Sequence, residues 1–274
     1  MPSLVATNVW YRYQGSDDYV IKGASLRAEP GDVVALVGPM GSGKTTLLLI
    51  LAGLLQPERG RVMLGDHDLT LGRQETRRLV GMVFQDPDYQ LFNPSVYDEL
   101  AYALRTMGLG EDEVRERVNK LARDLGISHL LSKSPHRLSY GQKKLVALAS
   151  VLVYNPLLLL LDEPTTNLDK PSYTKVLDII ERYKRSKRIV VIATHDLDTV
   201  LRASTKTCII SNGQLACHST WGLVEQGGLK DLPLPEPLIL KALLLRERND
   251  WRKVASTVKT VLETLENEAR SRLI

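Results

Sequence analysis

Residues 38–45 read Gly38, Pro39, Met40, Gly41, Ser42, Gly43, Lys44 and Thr45, meeting the pattern G-x-x-x-x-G-K-[ST] at every fixed position. Such a loop is a phosphate cradle. Its glycines let the backbone wrap a polyphosphate, so that successive N–H groups and the N-terminus of the following helix point at it. Lys44 adds a mobile cation for the β- and γ-phosphates, and the Thr45 hydroxyl can bind Mg²⁺. A tight strand-to-helix turn without a ligand is the bland alternative, but it does not call for Lys44 and Thr45 together. A dinucleotide fingerprint fails, because after Gly41 and Gly43 it needs a third glycine where Thr46 stands.

Four further groups could share chemistry with this loop. Leu157 to Leu161 is wholly apolar and ends on Asp162 and Glu163. Two adjacent acids at a strand's end can divide the work, one holding Mg²⁺ and the other polarising an attacking water. The other reading is a solvated loop start before Pro164. His195 follows the apolar run Ile189 to Ala193, where it could donate to a γ-phosphate or hold water and glutamate in register. Gln85 follows Val80 to Phe84, and its amide could sense Mg²⁺ or the attacking water, or simply cap a turn. Ser139 and Gln142 have S-x-x-Q spacing before an apolar helix, which fits an ordinary capping box. The N–H groups at that helix start, around Gly141, with the serine hydroxyl, could equally make a second anion site.

The elements that must position these groups follow from periodicity. Leu4 to Tyr13 and Val20 to Ala28 read as antiparallel strands around a polar turn at residues 15–18. Val33 to Val37, Val80 to Phe84, Leu157 to Leu161 and Ile189 to Ala193 are apolar throughout, as strands buried on both faces must be. A helix runs from Lys44 to about Leu54, and further helices are predicted over Val96 to Met107, Glu111 to Leu125 and Gly141 to Tyr154. This alternation predicts an α/β fold with a parallel-rich sheet covered on both faces. In such sheets ligands gather at the carboxyl ends of the strands, which would bring Gly38, Gln85, Asp162 and His195 to one edge.

The proline-rich stretch Leu232 to Pro237 marks a boundary near residue 229, giving a main unit over 1–229 and an extension over 230–274. Beyond it Leu238 to Leu245, and then Val254, Val258, Val261, Leu262 and Leu265, keep one helical face apolar. A small helical appendage is expected there.

Composition bounds the function. The chain has 274 residues, 43% of them apolar and 25% charged, which supports a large core and excludes a disordered or collagen-like chain. Of the net charge of +4, residues 241–274 hold 8 basic and 5 acidic side chains, or +3. The nearly neutral remainder offers no argument for non-specific nucleic-acid binding, and no nucleic acid is expected as a partner. The longest apolar stretches, Leu47 to Leu55 and Leu145 to Tyr154, fall short of the roughly 18 residues that span a bilayer. The N-terminus shows no secretory pattern, so contact with a membrane is expected to run through a partner. Cys208 and Cys217 form neither a CxxC pair nor a zinc cluster; their sparse use suits a reducing compartment, and they read as ordinary structural residues.

These pieces in this order resemble an ABC-type ATPase subunit over about Leu4 to Gly227. By that resemblance Gly38 to Thr46 match the Walker A loop and Gln85 the Q-loop. Leu138 to Gln142 match the signature motif, Leu158 to Asp162 the Walker B strand, and Glu163 its catalytic base. Residues 166–169 match the D-loop and His195 the switch histidine. Tyr13 falls where the family stacks an aromatic on adenine, with Tyr11 a weaker candidate. Tyr140 departs from the family, which has glycine there. The resemblance implies a P-loop NTPase core of ABC type, with an N-terminal antiparallel β subdomain and a helical signature subdomain at about 86–155. It implies ATP and Mg²⁺ as cofactors, and a dimer with a second ATPase subunit, identical or not, in which each Ser139 faces the other subunit's nucleotide.

Within the family, Phe84 to Phe92 followed by Val96 to Leu100 is similar to importers of the energy-coupling factor type, which carry a second glutamine after the Q-loop. Gln90 stands there, and the helical tail also looks like their extension. The implied partners are an integral membrane coupling subunit and a substrate-binding membrane subunit. The implied place is the cytoplasmic face of the membrane, as a peripheral subunit of an importer for a vitamin or transition-metal ion. A conventional ABC importer is the alternative. A non-transport ABC ATPase is disfavoured: only 53 residues, 86–138, separate Gln85 from Ser139, leaving no room for long coiled coils, and there is one Walker A loop. Tyr89, Leu91, Phe92 and Tyr97 near Gln85 suggest either a docking groove or core filling.

Overall fold

A computed structural model describes residues 1–72, 74–225, 250 and 252–260. The chain runs β1 (Leu4–Tyr11), β2 (Ile21–Ala28), β3 (Val33–Val37), α1 (Lys44–Leu51), β4 (Arg59–Leu64), β5 (His67–Asp68), α2 (Gln74–Arg77) and β6 (Val80–Val83). It continues through α3 (Val96–Thr106), α4 (Glu111–Asp124), α5 (Tyr140–Leu152), β7 (Leu158–Asp162), α6 (Lys170–Arg185) and β8 (Ile189–Ala193). The last elements are α7 (Leu197–Ala203), β9 (Lys206–Ser211), β10 (Gln214–Ser219) and α8 (Thr220–Glu225), with further helical turns over 252–260. The α1 helix stops three residues before the expected Leu54, because Gly53 turns into the left-handed region at φ 70°.

Two sheets form. One is antiparallel, in the order β2-β1-β4-β5, and its β1/β2 pairing is the expected one, from Leu4 opposite Ala28 to Tyr11 opposite Ile21. The other has the order β10-β9-β3-β8-β7-β6; β9, β3, β8, β7 and β6 are mutually parallel, and β10 is an antiparallel edge. The α/β architecture read from the apolar runs is therefore the observed one.

Strand β3 shows how the layers share the core. Its five residues are all buried, and alternate side chains of a strand leave opposite faces. Val34 and Leu36 join Leu47, Leu48 and the inner face of the antiparallel sheet. Val33 joins the cluster built on α3, α4 and α5, while Ala35 and Val37 pack with α7 and α8. On the sheet's edge, α5 lies so close to β6 that a β-carbon at Gly81 would overlap Val151 Cγ1. Only glycine permits that approach.

Two expectations are corrected. Cys208 and Cys217 are not free thiols but a disulfide, 9 residues apart in sequence. The cause is the hairpin: Asn212 (φ 51°) and Gly213 (φ 80°) form a two-residue turn of the type that matches strand twist, and its register sets Cys208 directly opposite Cys217. The second concerns Tyr89 to Tyr97. Leu91 is buried and Tyr97 packs against the core, whereas Tyr89 (85% exposed) and Phe92 (63% exposed) face outward, so neither reading holds for all four.

Most of the predicted extension, including the boundary near 229, Leu238 to Leu245, Val261, Leu262 and Leu265, lies outside the described residues. Within 252–260, Val254 and Ala255 are buried against Leu197, Val200 and Leu223 of the same chain. Among the described residues no helix is long and apolar enough to cross a membrane.

Candidate active site

Because β3, β6, β7 and β8 run parallel, their carboxyl ends share one edge, where β7 ends on Asp162 and the segments leaving β3, β6 and β8 carry Gly38, Gln85 and His195. The loop 38–43 is held against the sheet: a β-carbon at Gly38 would strike the Ile210 carbonyl and Ser42 Oγ. Lys44 Nζ donates to the carbonyls of Gly38 (2.8 Å) and Pro39 (3.0 Å), so the cation lies along the loop. Ser42 Oγ is buried with no hydrogen-bond partner among the described residues, a polar atom inside the cradle with bonding capacity to spare. Met40 is fully exposed at the loop's tip.

Thr45 Oγ1 donates to Asp162 Oδ2 at 2.8 Å, which joins the start of α1 to the end of β7. Burial raises the Asp162 carboxyl above its ordinary pKa, and neighbouring Glu163 adds to this while Thr45, Lys144 and Lys44 oppose it. A buried acid held up in this way favours a nearby positive charge. Thr46 is buried, and its hydroxyl bonds the Tyr13 phenol at 3.0 Å. Tyr13 is 45% exposed and stacks edge-on to Tyr11, its ring beside the N-terminal turn of α1.

Glu163 is 6% exposed and both its oxygens are engaged. Oε1 lies 2.8 Å from His195 Nδ1; Oε2 accepts from Thr166 Oγ1 (3.0 Å) and Thr194 Oγ1 (3.4 Å). Its backbone has φ 46°, a left-handed conformation that costs a non-glycine residue about 1 kcal/mol or more. Two bonds impose it. The Glu163 N–H donates to Ala193 O at 2.9 Å, and its carbonyl accepts from Lys144 Nζ at 2.8 Å. Lys144 is 2% exposed, and burial lowers its pKa to about 8 against the pull of Asp162, Glu163 and Asp86. Sequence reading missed it, although a signal existed: Lys144 shares the α5 face of Leu148 and Val151, both buried.

The signature residues sit elsewhere. Ser139 caps α5, its Oγ accepting from Gln142 N–H while Gln142 Oε1 accepts from Ser139 N–H, so the capping box is real. Ser139, Gly141 and Gln142 line a cavity of about 410 Å³ with Asn167, Asp169 and Ser172, and none of residues 38–46 borders it. Asp169 caps α6 through Ser172 N–H, so two helix N-termini lie side by side there. Gln85 offers its backbone carbonyl to Tyr140.

Gln90, the second glutamine, ties its turn to α5. Its Nε2 donates to Ala147 O (2.8 Å) and Ser150 Oγ (3.1 Å), and its Oε1 accepts from Phe84 N–H (3.4 Å).

The model of the ABC transporter family matches residues 21–166, which is 146 of 274 residues. A putative ABC transporter ATP-binding protein of Pyrococcus furiosus is 38% identical over 85% of this chain and 89% of its own. The energy-coupling factor transporter ATP-binding protein EcfA1 of Geobacillus kaustophilus is 38% identical over 80% of this chain and 79% of its own. Among solved structures, cbiO1 from Clostridium perfringens, part of the ABC transporter complex cbiONQ, superposes with a TM-score of 0.74 at 30% identity, covering 93% of this chain and 98% of that one. With the phosphate loop, the acidic strand end and the histidine converging on one sheet edge, the chain belongs to the ABC transporter family and is one of its ATP-hydrolysing subunits.

Proposed function

We propose that this chain is the ATP-hydrolysing subunit of an importer of the energy-coupling factor type, one that takes up a vitamin or a transition-metal ion. It works as a peripheral subunit at the cytoplasmic face of the membrane, paired with a second ATPase subunit, a membrane coupling subunit and a substrate-binding membrane subunit. The observation that carries the ATPase chemistry is the grip on Glu163: a buried carboxylate oriented through both oxygens, next to the acid at the end of β7.

In this reading, the backbone amides of residues 38–46 and Lys44 bind the phosphates, Ser42 Oγ adds a donor, and Tyr13 offers its exposed ring to adenine. Glu163 takes the proton of the attacking water, while His195, Thr166 and Thr194 keep the carboxylate aimed. Thr45 Oγ1 and Asp162 Oδ2, hard oxygen donors 2.8 Å apart, together with the Gln85 amide, would hold Mg²⁺, which supplies positive charge to the β- and γ-phosphate oxygens. Ser139, Gly141 and Gln142 of one subunit close on the nucleotide of the other. The importer type is supported by the placement of Gln90 and by exposed Tyr89 and Phe92 beside the Q-loop, and it agrees with the EcfA1 and cbiO1 likenesses.

The test is co-purification from detergent-solubilised membranes with the tagged chain as bait. The expected result is two integral membrane proteins recovered with it, and ATPase activity that requires Mg²⁺. Recovery without any membrane protein would refute the importer assignment and leave the ATPase standing.

A further inference from the structure

A helix start makes no demand for an aromatic side chain at its first residue, yet Tyr140 stands there. Its hydroxyl donates to the Gln85 carbonyl at 3.2 Å, across 55 residues of sequence. Burial, and the nearby charges of Asp86 and Asp88, raise the phenol's pKa, so it remains a donor. Next along the same helix face, Lys143 Nζ pairs with Asp88 Oδ1 at 2.6 Å. Further on, Ala147 and Ser150 receive Gln90. Positions 140, 143, 147 and 150 form one stripe of α5, since three- and four-residue steps bring side chains to the same face. The segment 85–90 is thus laid along the helix whose tip carries Ser139.

We propose that Tyr140 is a positioning residue that transmits movement of Gln85 to the tip of α5, and so links the two ATP sites of a dimer. Gln85 belongs to the site of its own chain, while Ser139 and Gln142 address the partner's nucleotide. A direct bond from the first to the helix bearing the second makes occupancy of one site felt at the other. Of the three attachments it lies nearest the tip. The inference rests on the shared-site reading given above.

The test is steady-state ATP hydrolysis by the full-length dimer against ATP concentration, in wild type and Tyr140→Phe, which removes a single hydroxyl. Wild type is expected to show a Hill coefficient above 1. The variant should bring it toward 1 and lower kcat about 2- to 10-fold, the range expected for one hydrogen bond. A merely structural hydroxyl would lower thermal stability, or the folded fraction, and leave the Hill coefficient unmoved. Tyr140→Gly, which installs the family's usual residue, should match Tyr140→Phe. A wild-type Hill coefficient of 1, or the same coefficient in wild type and both variants, overturns the proposal.

A second measurement separates this from failure of the underlying reading. A mixed dimer of one Lys44→Ala chain and one Ser139→Arg chain concentrates both lesions in one site. Because coupling alone could silence the intact site, the same mixed dimer is also made with Tyr140→Phe in both chains; near-complete loss relative to the Tyr140→Phe dimer, with each homodimeric mutant dead, refutes the shared site and the Tyr140 link together. Substantial retained activity beside unchanged cooperativity in Tyr140→Phe refutes the Tyr140 link alone.

Discussion

The ammonium of Lys144 is 2.8 Å from the backbone carbonyl of Glu163, so a buried cation on α5 fixes the peptide of the acid that directly follows β7. The contact joins the helical layer to the hydrolytic centre from behind. It also makes stability depend on pH. Burial lowers the lysine's pKa from 10.5 to about 8, so the unfolded chain binds this proton more tightly than the folded one. The resulting penalty is complete below pH 8 and is relieved as pH rises from about 8 to 10.5. Wild type should therefore gain stability relative to Lys144→Met across that window and run parallel to it below. Denaturant midpoints at pH 7 and pH 10 check this; a constant difference between the two proteins would contradict it.

Glu163→Gln should retain ATP binding and lose hydrolysis by about 10²-fold or more, because the amide keeps the shape but cannot accept a proton. His195→Ala leaves Thr166 and Thr194 on Oε2 but frees Oε1, so it should reduce kcat by less than Glu163→Gln does. Single-turnover hydrolysis with bound ATP measured separately distinguishes these effects from weakened binding. Lys44→Ala, in contrast, should weaken ATP binding itself.

Phe92 and Gln90 should part company on substitution. Phe92 is exposed, with its ring edge-on to the exposed Tyr102 at 5.0 Å, and Tyr89 protrudes nearby. Tyr89→Ala with Phe92→Ala should release the membrane subunits while the isolated chain keeps its basal ATPase rate. Gln90→Ala removes two bonds that seat the turn on α5 and one from Phe84 N–H, and should reduce both. Pull-down and ATPase assays on the same preparations make the comparison, and equal losses for the Tyr89/Phe92 pair would argue against a docking surface.

The hairpin cysteines give a chemical test. In denaturant, iodoacetamide should label neither Cys208 nor Cys217 until a reductant is added, after which both are labelled. Reduction should cost up to about 2–3 kcal/mol, the chain-entropy value for a loop of about 10 residues. Intact mass and denaturant midpoints with and without reductant measure the two effects.

What could be read in advance followed from local rules. The all-apolar runs of β3, β7 and β8 announced strands buried on both faces, and parallel order then placed Gly38, Asp162 and His195 at one edge. The contacts of Lys144 and Tyr140 were not foreseen, because they join α5 to β7 and to the turn after β6 across 19 and 55 residues, where no spacing rule reaches. The disulfide is the opposite case. Asn212 and Gly213 carry the strongest short-range hairpin signal, and counting outward from that pair sets Cys208 against Cys217. Burial decided Tyr89 to Tyr97: adjacent Leu91 and Phe92 divide between core and surface, which neither a docking groove nor core filling alone describes.

The close seat of Val151 on Gly81 makes α5 a lever. The fulcrum is at the carboxyl end of the helix, the load from residues 85–90 is spread along it, and Ser139 rides the opposite tip, twelve residues or about 18 Å away at 1.5 Å per residue. A tilt of about 5° at the fulcrum moves that tip by about 1.5 Å, half the length of a hydrogen bond, enough to make or break a contact to phosphate. A side chain at position 81 would set the resting angle of the lever, although it lies at the far end of the helix from the signature tip.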